Sequence, residues 1–237
     1  MKKKALVSEI QSKHSYLCVG LDTDPQQIPP QLKNEKDSVF TFNKAIIDAT
    51  QAYSVAYKLN IAFYESLGAR GWESLEKTLN YMPNDCLTIA DAKRSDIGNT
   101  AAKYAQTFFD SYNFDAVTLN PLMGKDSVEP FLEYKNKWVI LLVLTSNHGA
   151  EDFQLQRVGD QYLYELILKK GQNWVSHDQG MFVIGATRPE KFKEIRALCP
   201  HHFFLVPGIG KQGGSIETIS KAGMTNDVVC TADETIC

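Results

Sequence analysis

Eight short apolar runs recur along the chain, and stretches of helical periodicity separate them. The runs span residues 15–21, 54–60, 86–91, 115–119, 137–145, 180–184, 202–206 and 227–230. They are almost continuously apolar, which is typical of strands that are covered on both faces, as in a parallel sheet. Amphipathic stretches such as DSVFTFNKAIIDATQAY and QYLYELILKKGQNWV lie between them. Eight strand–helix units without a linker predict an α/β fold, a (β/α)8 barrel forming one domain over residues 1–237. A doubly wound open sheet is the alternative.

The composition is that of an ordinary globular protein, with 43% hydrophobic residues and a net charge of −3. This charge gives no indication of a nucleic-acid partner. No apolar run approaches the roughly 20 residues of a membrane span, and the basic start MKKKALVSEI lacks the apolar segment of a secretion signal. The five scattered cysteines, without CxxC spacing, predict reduced thiols in a cytoplasmic protein and no zinc site; they are Cys18, Cys86, Cys199, Cys230 and Cys237.

Polar residues follow at least five of the predicted strands. Asp22 follows the first strand, Lys58 and Asn60 end the second, and the segments DAKRSD, TSNHGAEDFQ and VPGIGKQGGS end the third, fifth and seventh. A barrel gathers such ends on one rim, where barrel enzymes carry their active sites. One charged residue after a strand is most often a solvated loop residue. Five polar strand ends on the same rim predict a functional site.

The third strand ends with two carboxylates and two cations within six positions. Asp91 and Lys93 are two residues apart, so they share a face and are expected to point into the barrel mouth, where Lys58 adds a second cation. A structural ion pair is the alternative, but burying one rarely stabilises a fold, so the pair indicates function. Asp96 is expected on the first turn of the next helix, where a carboxylate also favours the helix dipole. Arg94 falls on the other side of the strand and is expected at the surface or an interface.

The stretch PGIGKQGG carries glycines in GxGxxG spacing, at Gly208, Gly210 and Gly213. This spacing matches a dinucleotide fingerprint. The fingerprint, however, belongs to a βαβ unit with more sheet to follow, and only 24 residues remain after Gly213. A phosphate cradle, formed by backbone N–H groups and the helix N-terminus after Gly214, is the preferred interpretation, and a plain turn stays open.

The hydroxyls of Thr145 and Ser146 stand at the end of the fifth strand, where they could bind a carbonyl or amide edge. The polar loop that follows could close as a lid. His148 has no partner by spacing and is expected at the surface. His201 and His202 precede a strand, which places them on the rim opposite the predicted site. The sequence contains no HExxH or other metal-ligand spacing.

The segment DAKRSDIGNT has the pattern D-x-K-x-x-D-I-x-x-T, which resembles the signature of the orotidine 5′-monophosphate decarboxylases. The segments FNKAIIDAT, YKLNIAFYE and DAKRSDIGNTAAKYA resemble the longer-chain bacterial branch of that family, and the match runs from GLDTDP through VPGIGKQGGS. The D-x-K-x-x-D motif alone is shared with a wider barrel family that includes a sugar-phosphate decarboxylase. Matches at Lys58, Ser146, Pro207 and Gln212 favour the narrower assignment.

The resemblance implies a TIM-barrel homodimer that converts orotidine 5′-monophosphate to UMP in pyrimidine biosynthesis without a cofactor. It implies that Asp22 and Lys58 hold the ribose hydroxyls and that Lys58 also orients Asp91. Asp91 would lie beside the substrate carboxylate, and Lys93 would deliver a proton to C6 of the pyrimidine. Asp96, Ile97 and Thr100 would reach across the dimer interface into the partner's site. The remaining implied contacts are Asn60 and Ser146 with the pyrimidine, Pro207 with the substrate, and Gln212 with the loop glycines Gly208, Gly210, Gly213 and Gly214 around the phosphate.

The C-terminal sequence departs from the family. Family members end the eighth strand with an arginine that grips the phosphate, followed by a closing helix. This chain reads NDVVCTADETIC, with no arginine after Arg196. We therefore expect a shortened last βα unit, weak phosphate binding and a reduced kcat/KM. Two alternatives follow: a magnesium-dependent sugar-phosphate decarboxylase of the same barrel family, and a non-catalytic phosphometabolite-binding protein. A nicotinamide-dependent oxidoreductase is disfavoured by the position of the glycine loop.

Overall fold

Eight parallel strands close into a barrel in this computed structural model, which describes residues 1–210, 214–215, 217 and 228–233. The strands follow one another around the barrel in chain order, and the eighth pairs with the first. The strands are β1 (Leu17–Gly20), β2 (Ser54–Asn60), β3 (Leu87–Arg94), β4 (Ala116–Leu119), β5 (Trp138–Leu144), β6 (Gly180–Ile184), β7 (Phe203–Gly210) and β8 (Val228–Asp233). The predicted barrel is confirmed, and closure excludes the open sheet.

Helices surround the barrel. They are α1 (Lys3–Lys13), α2 (Ser38–Thr50), α3 (Ile61–Glu65), α4 (Ala69–Tyr81), α5 (Gly98–Gln106), α6 (Glu129–Leu132), α7 (Leu163–Trp174) and α8 (Pro189–Leu198). The N-cap of α2 is Asp37, whose carboxylate accepts the N–H of Phe40 at 3.1 Å. This bond satisfies one of the free N–H groups that every helix leaves at its start.

The apolar runs become strands because both of their faces are covered. Every residue of β4 and β6 is buried, and so is every residue of β2 except its last. At the end of the barrel where the strands begin, α1 buries Leu6 and Ile10 against a cluster that includes Trp138 and Phe203. The helix therefore covers this end with apolar side chains, which leaves the carboxyl ends of the strands as the polar rim.

Several elements differ from the sequence prediction. Strand β3 continues to Arg94 and β7 to Gly210, so residues expected in loops lie within strands. The connection after β4 holds only short helical turns and the four-residue α6. Between β5 and α7 the chain forms a small hairpin of Arg157–Val158 with Gln161–Tyr162. Residues 234–237 lie outside the described part, so the shortened last unit and the single domain over residues 1–237 stay predictions.

Candidate active site

The register of neighbouring strands brings the polar strand ends to one height on the rim. Gly20 of β1 pairs with Lys58 of β2, and Asn60 of β2 pairs with Asp91 of β3. Asp22 lies just beyond β1, and one of its oxygens, Oδ1, accepts the backbone N–H of Asn60 at 3.1 Å. The ends of three consecutive strands therefore present Asp22, Lys58 and Asp91 to the same part of the barrel mouth.

Four side chains form a row of alternating charge, which we call the charged row: Asp22, Lys58, Asp91 and Lys93. The ammonium of Lys58 lies 3.2 Å from Asp22 Oδ2 and 3.5 Å from Asp91 Oδ2. The ammonium of Lys93 lies 2.6 Å from the same Asp91 Oδ2. The structure thus brings together the groups that the sequence predicted at the ends of β1, β2 and β3.

Solvent exposure divides the charged row into a fixed part and an accessible part. Lys58 is 4% exposed and Asp91 is 8% exposed. The side chain of Lys93, in contrast, is 48% exposed. The row therefore ends in an ammonium that a ligand in the barrel mouth can reach, while the groups behind it are held in place by burial.

The buried carboxylate of Asp91 keeps its charge. Burial alone would raise its pKa, but the positive charges of Lys58 and Lys93 act in the opposite direction. Hydrogen bonds from Lys93 and Thr118 add to their effect, and the pKa of Asp91 lies below its ordinary value of 3.8. Asp91 is therefore an anion at neutral pH.

The backbone at Lys93 is unusual for a residue other than glycine, with φ of 47° in the left-handed region. The pairing of β3 with β4 also breaks between Ala90 and Arg94. Opposite this break, the hydroxyl of Thr118 accepts the N–H of Lys93 at 2.9 Å and donates to Asp91 Oδ1 at 2.9 Å. The sequence alone does not predict a role for Thr118, because its only distinguishing feature there is a hydroxyl inside the apolar run 115–119.

The segment after β3 corrects one expectation. Helix α5 begins at Gly98 with Ile97 as its N-cap, so Asp96 precedes the helix instead of lying on its first turn. The carboxylate of Asp96 accepts the N–H of Ile97 at 2.8 Å, a local bond that a short aspartate side chain makes readily ahead of a helix. Ile97 is 50% exposed, and Thr100 is also exposed. This segment therefore faces outward from the described chain.

The predicted pyrimidine contacts lie at the ends of β2 and β5. Asn60 uses its side-chain oxygen to cap α3, accepting the N–H of Ala62 at 3.2 Å. Ser146 follows β5, and its carbonyl accepts a hydrogen bond from the hydroxyl of Thr187 at 3.0 Å. Pro207 accepts the N–H of Ala186 at 2.9 Å. These bonds tie the ends of β5, β6 and β7 to one another.

The glycine loop turns back tightly at the end of β7. Gly208 has φ of 92°, which favours glycine, and its carbonyl accepts the N–H of Gly214 at 3.0 Å. A Cβ on Gly214 would lie 2.5 Å from that carbonyl oxygen, so only glycine fits there. Gly210 ends the strand, whereas Gln212 and Gly213 lie outside the described residues. The predicted phosphate cradle is therefore described only at its two ends.

Arg94 packs against the helical layer and is partly buried rather than free at the surface. Its guanidinium lies 5.2 Å from the ring centroid of Tyr104 and 5.6 Å from that of Phe108. It also forms an ion pair with Glu65. The alternation of β3 correctly predicts that Arg94 points away from the mouth, but its neighbours there are aromatic rings of the helical layer.

The histidines lie away from the charged row. The side chain of His148 is 93% exposed, as expected for a surface residue. His202 is buried just before β7, on the opposite rim, with its Nε2 at 3.0 Å from the carbonyl of Val175. Burial lowers the pKa of His202.

Two classes of feature are absent from the described part of the chain. No group of three or more His, Cys, Asp or Glu side chains there is arranged to hold a metal ion. None of its helices combines the length and apolarity needed to cross a membrane.

Several known proteins are similar in sequence to this chain over most of its length. Residues 15–236 match the profile of the "Orotidine 5′-phosphate decarboxylase / HUMPS family". The orotidine 5′-phosphate decarboxylase of Christiangramia forsetii is 54% identical over 231 residues, which cover 96% of this chain and 85% of that protein. The protein of the same name from Bacteroides fragilis is 54% identical over 230 residues, covering 95% of this chain and 84% of that protein.

Solved structures of similar proteins superpose on nearly the whole chain. Leishmania donovani OMP decarboxylase superposes with a TM-score of 0.86 at 36% identity, covering 98% of this chain and 89% of that one. UMP synthase of the same organism gives a TM-score of 0.89 at 38% identity over 98% of this chain, which spans about half of that protein, 51%. With a family profile matched from residue 15 to residue 236 and relatives more than half identical, the chain belongs to the orotidine 5′-phosphate decarboxylase family.

Proposed function

We propose that this chain decarboxylates orotidine 5′-monophosphate to UMP, with Lys93 as the proton donor. Family membership supports the reaction. The observation that best supports the role of Lys93 is the position of its half-exposed ammonium, which lies 2.6 Å from the buried Asp91 carboxylate at the barrel mouth. This arrangement offers a positive charge to a ligand while the groups behind it stay fixed.

The chemistry of the reaction requires such a charge. Loss of CO2 from C6 of the pyrimidine leaves an electron pair in the plane of the ring, where the π-system cannot delocalise it. The protein must stabilise this pair by charges that are already in position. The Lys93 ammonium stabilises it first and then transfers a proton to C6 as a general acid. The bond to CO2 breaks, its electrons remain on C6, and the proton of Lys93 forms the new C–H bond.

Asp91 holds Lys93 in place, and Lys58 supports Asp91 from the other side. Asp91 is ionised at neutral pH and accepts a hydrogen bond from Lys93 at 2.6 Å. Its second role is to lie beside the substrate carboxylate, where the two negative charges repel each other until CO2 leaves. Lys58 lies between Asp22 and Asp91, and its positive charge compensates the buried charge of Asp91.

The rest of the substrate is assigned to the other strand ends. Asp22 and Lys58 hold the ribose hydroxyls, and Asn60 and Ser146 contact the pyrimidine. The phosphate is assigned to the glycine loop, because the backbone N–H groups of such a loop favour an anion. The loop contacts are Pro207, Gly208, Gly210, Gln212, Gly213 and Gly214. Because the phosphate is remote from C6, its binding energy can drive closure of the site.

We further propose a homodimer in which Asp96, Ile97 and Thr100 of one subunit complete the site of the other. The outward-facing position of this segment supports the proposal, as does the 50% exposure of the apolar Ile97. Substrate and product are the proposed small-molecule partners, and a cytoplasmic location is supported by the buried reduced thiols of Cys86 and Cys199.

The test is Lys93→Ala, assayed by CO2 release and by the absorbance change of orotidine 5′-monophosphate. We expect kcat/KM to fall by at least about 1,000-fold, because one side chain supplies both charge stabilisation and the proton. Lys103→Ala, which removes an exposed lysine of α5, serves as the control and should retain activity. Undiminished CO2 release by Lys93→Ala would refute the mechanism.

A second measurement separates this reaction from that of the magnesium-dependent sugar-phosphate decarboxylases. The wild-type protein is assayed in excess EDTA. We expect unchanged turnover of orotidine 5′-monophosphate, because none of the proposed steps uses a metal ion. Loss of activity that Mg²⁺ restores would favour the alternative.

A further inference from the structure

Thr118 places a buried hydroxyl beside the charged row. It lies near the end of β4, is 1% exposed, and faces the part of β3 that carries Asp91 and Lys93. Its single hydroxyl is used twice. It donates to Asp91 Oδ1 at 2.9 Å and accepts the backbone N–H of Lys93 at 2.9 Å. One buried atom therefore contacts both members of the reactive pair.

The strand pairing explains why a hydroxyl is needed at this point. Ala90 pairs with Val117, and the next pair along is Arg94 with Leu119. Three residues of β3 thus stand opposite Thr118 alone, and a bulge of this kind interrupts the regular backbone ladder. Lys93 takes its left-handed backbone conformation inside this bulge. The hydroxyl of Thr118 replaces the missing backbone acceptor for the Lys93 N–H.

The same hydroxyl determines how the Asp91 carboxylate is turned. Oδ1 is occupied by Thr118, and Oδ2 faces both ammonium groups, at 2.6 Å from Lys93 and 3.5 Å from Lys58. Rotation of the carboxylate would break the bond to Thr118 and move Oδ2 away from Lys93. Thr118 on β4 therefore helps to hold Asp91 and Lys93 at their distance, in addition to their shared position on β3.

We propose that Thr118 is a positioning residue for decarboxylation, which fixes the Lys93 backbone and the Asp91 carboxylate in their reactive arrangement. The inference rests on the proposed function, since it assigns Thr118 to the reaction in which Lys93 protonates C6. Thr118 acts through these two residues and needs no contact with the substrate.

A role in positioning also predicts a change in pH dependence. The charged groups that face Asp91 are Lys58 on β2 and Lys93 on its own strand, with Asp22 behind Lys58. The hydrogen bond from Thr118 stabilises the ionised carboxylate, so its removal shifts the pKa of Asp91 upward. Because the proposed reaction needs Asp91 ionised, we expect the acid limb of kcat/KM to move to higher pH.

The chain contains a matched control at the other end of the same strand pair. The hydroxyl of Thr88 donates to Asp115 Oδ2 at 3.1 Å and accepts the Asp115 N–H at 2.9 Å. Thr88→Val and Thr118→Val therefore remove the same two kinds of hydrogen bond between β3 and β4. Only the second removes them beside the charged row.

The experiment compares Thr118→Val, Thr118→Ser and Thr88→Val with the wild type, after circular dichroism has shown each to be folded. We expect Thr118→Val to lower kcat by about 10- to 100-fold, the range of a hydrogen bond to a charged group, with a smaller change in KM. Its acid limb should move to higher pH. Thr118→Ser, which keeps the hydroxyl, should recover most of kcat, and Thr88→Val should keep the wild-type kcat and acid limb.

The inference is overturned if Thr118→Val keeps kcat within about twofold of the wild type and shows the same acid limb, or if Thr118→Ser is as impaired as Thr118→Val. Either result, obtained with an active wild type, leaves the proposed function standing. A wild-type chain that does not convert orotidine 5′-monophosphate overturns the proposed function and, with it, the role of Thr118.

Discussion

Asp91 is the residue on which the candidate site depends, because groups from three neighbouring strands converge on its carboxylate. Lys58 approaches from β2, Lys93 from β3 and Thr118 from β4. Burial alone would favour the neutral acid, and the pKa below 3.8 shows that the surrounding charges and hydrogen bonds outweigh it. The folded protein therefore stabilises a charge that the proposed reaction uses, and this stabilisation should be measurable as a dependence of unfolding on pH.

Asp91→Asn tests this dependence. Because the folded-state pKa of Asp91 is depressed, the carboxylate contributes stability above its ordinary pKa of 3.8 and loses it as the pH falls through the folded-state value. We expect the variant to be less stable than the wild type by about 1–3 kcal/mol at pH 7, with a difference that shrinks below about pH 4. Urea unfolding between pH 7 and pH 3 measures it. The exposed Asp126→Asn serves as the control, and a pH-independent difference for Asp91→Asn would contradict the assignment.

Two features of β3 show what the sequence could and could not predict for single residues. The two-residue period of a strand was enough to place Asp91 and Lys93 together and to direct Arg94 away from them. The bulge and the left-handed φ of Lys93 were not predictable, because they depend on the hydroxyl of Thr118 in the next strand. A contact between strands leaves no trace in the local pattern of either one.

At the scale of single elements, the long apolar runs and the amphipathic helices were predictable, and the short or weakly patterned elements were not. The first helix, α1, buries only Leu6 and Ile10 and has a basic, exposed start, so its periodicity is slight. The hairpin after β5 and the turns after β4 are shorter than any window in which periodicity can be counted. The predicted position of Asp96 on the first turn of α5 is wrong for a similar reason, since helix ends are set by caps and not by the apolar pattern.

Helix α1 covers the end of the barrel where the strands begin, so weakening its packing should lower the free energy of unfolding. Leu6 is fully buried against the cluster that includes Trp138 and Phe203. Leu6→Ala should therefore lower the free energy of unfolding by about 2–5 kcal/mol, the usual cost of removing a buried leucine side chain. Ser8→Ala, at an exposed position of the same helix, should stay within about 0.5 kcal/mol of the wild type. Equal urea midpoints for the two variants would show that α1 does not cover the barrel.

At the scale of the whole molecule, the eight apolar runs predicted a parallel sheet covered on both faces, which fits a barrel or a doubly wound open sheet. The pairing of β8 with β1 shows that the sheet closes. The closed barrel also explains why the charged row lies at one end: α1 occupies the other. Ile97 and Thr100, however, are exposed on the single chain, where a second subunit could cover them. The proposal that Asp96, Ile97 and Thr100 act in the site of another subunit can be tested by mixing two inactive proteins.

Lys93→Ala and Asp96→Asn are purified separately, and each is expected to be strongly impaired. In a mixed dimer, one site combines both defects, while the other takes its Lys93 from the Asp96→Asn chain and its Asp96 from the Lys93→Ala chain. That second site is intact. Random exchange at a 1:1 ratio makes half of the dimers mixed, each with one intact site of two, so about a quarter of the wild-type activity should return. Activity that stays at the level of the separate variants, although mass spectrometry shows mixed dimers, would mean that Asp96 serves its own chain.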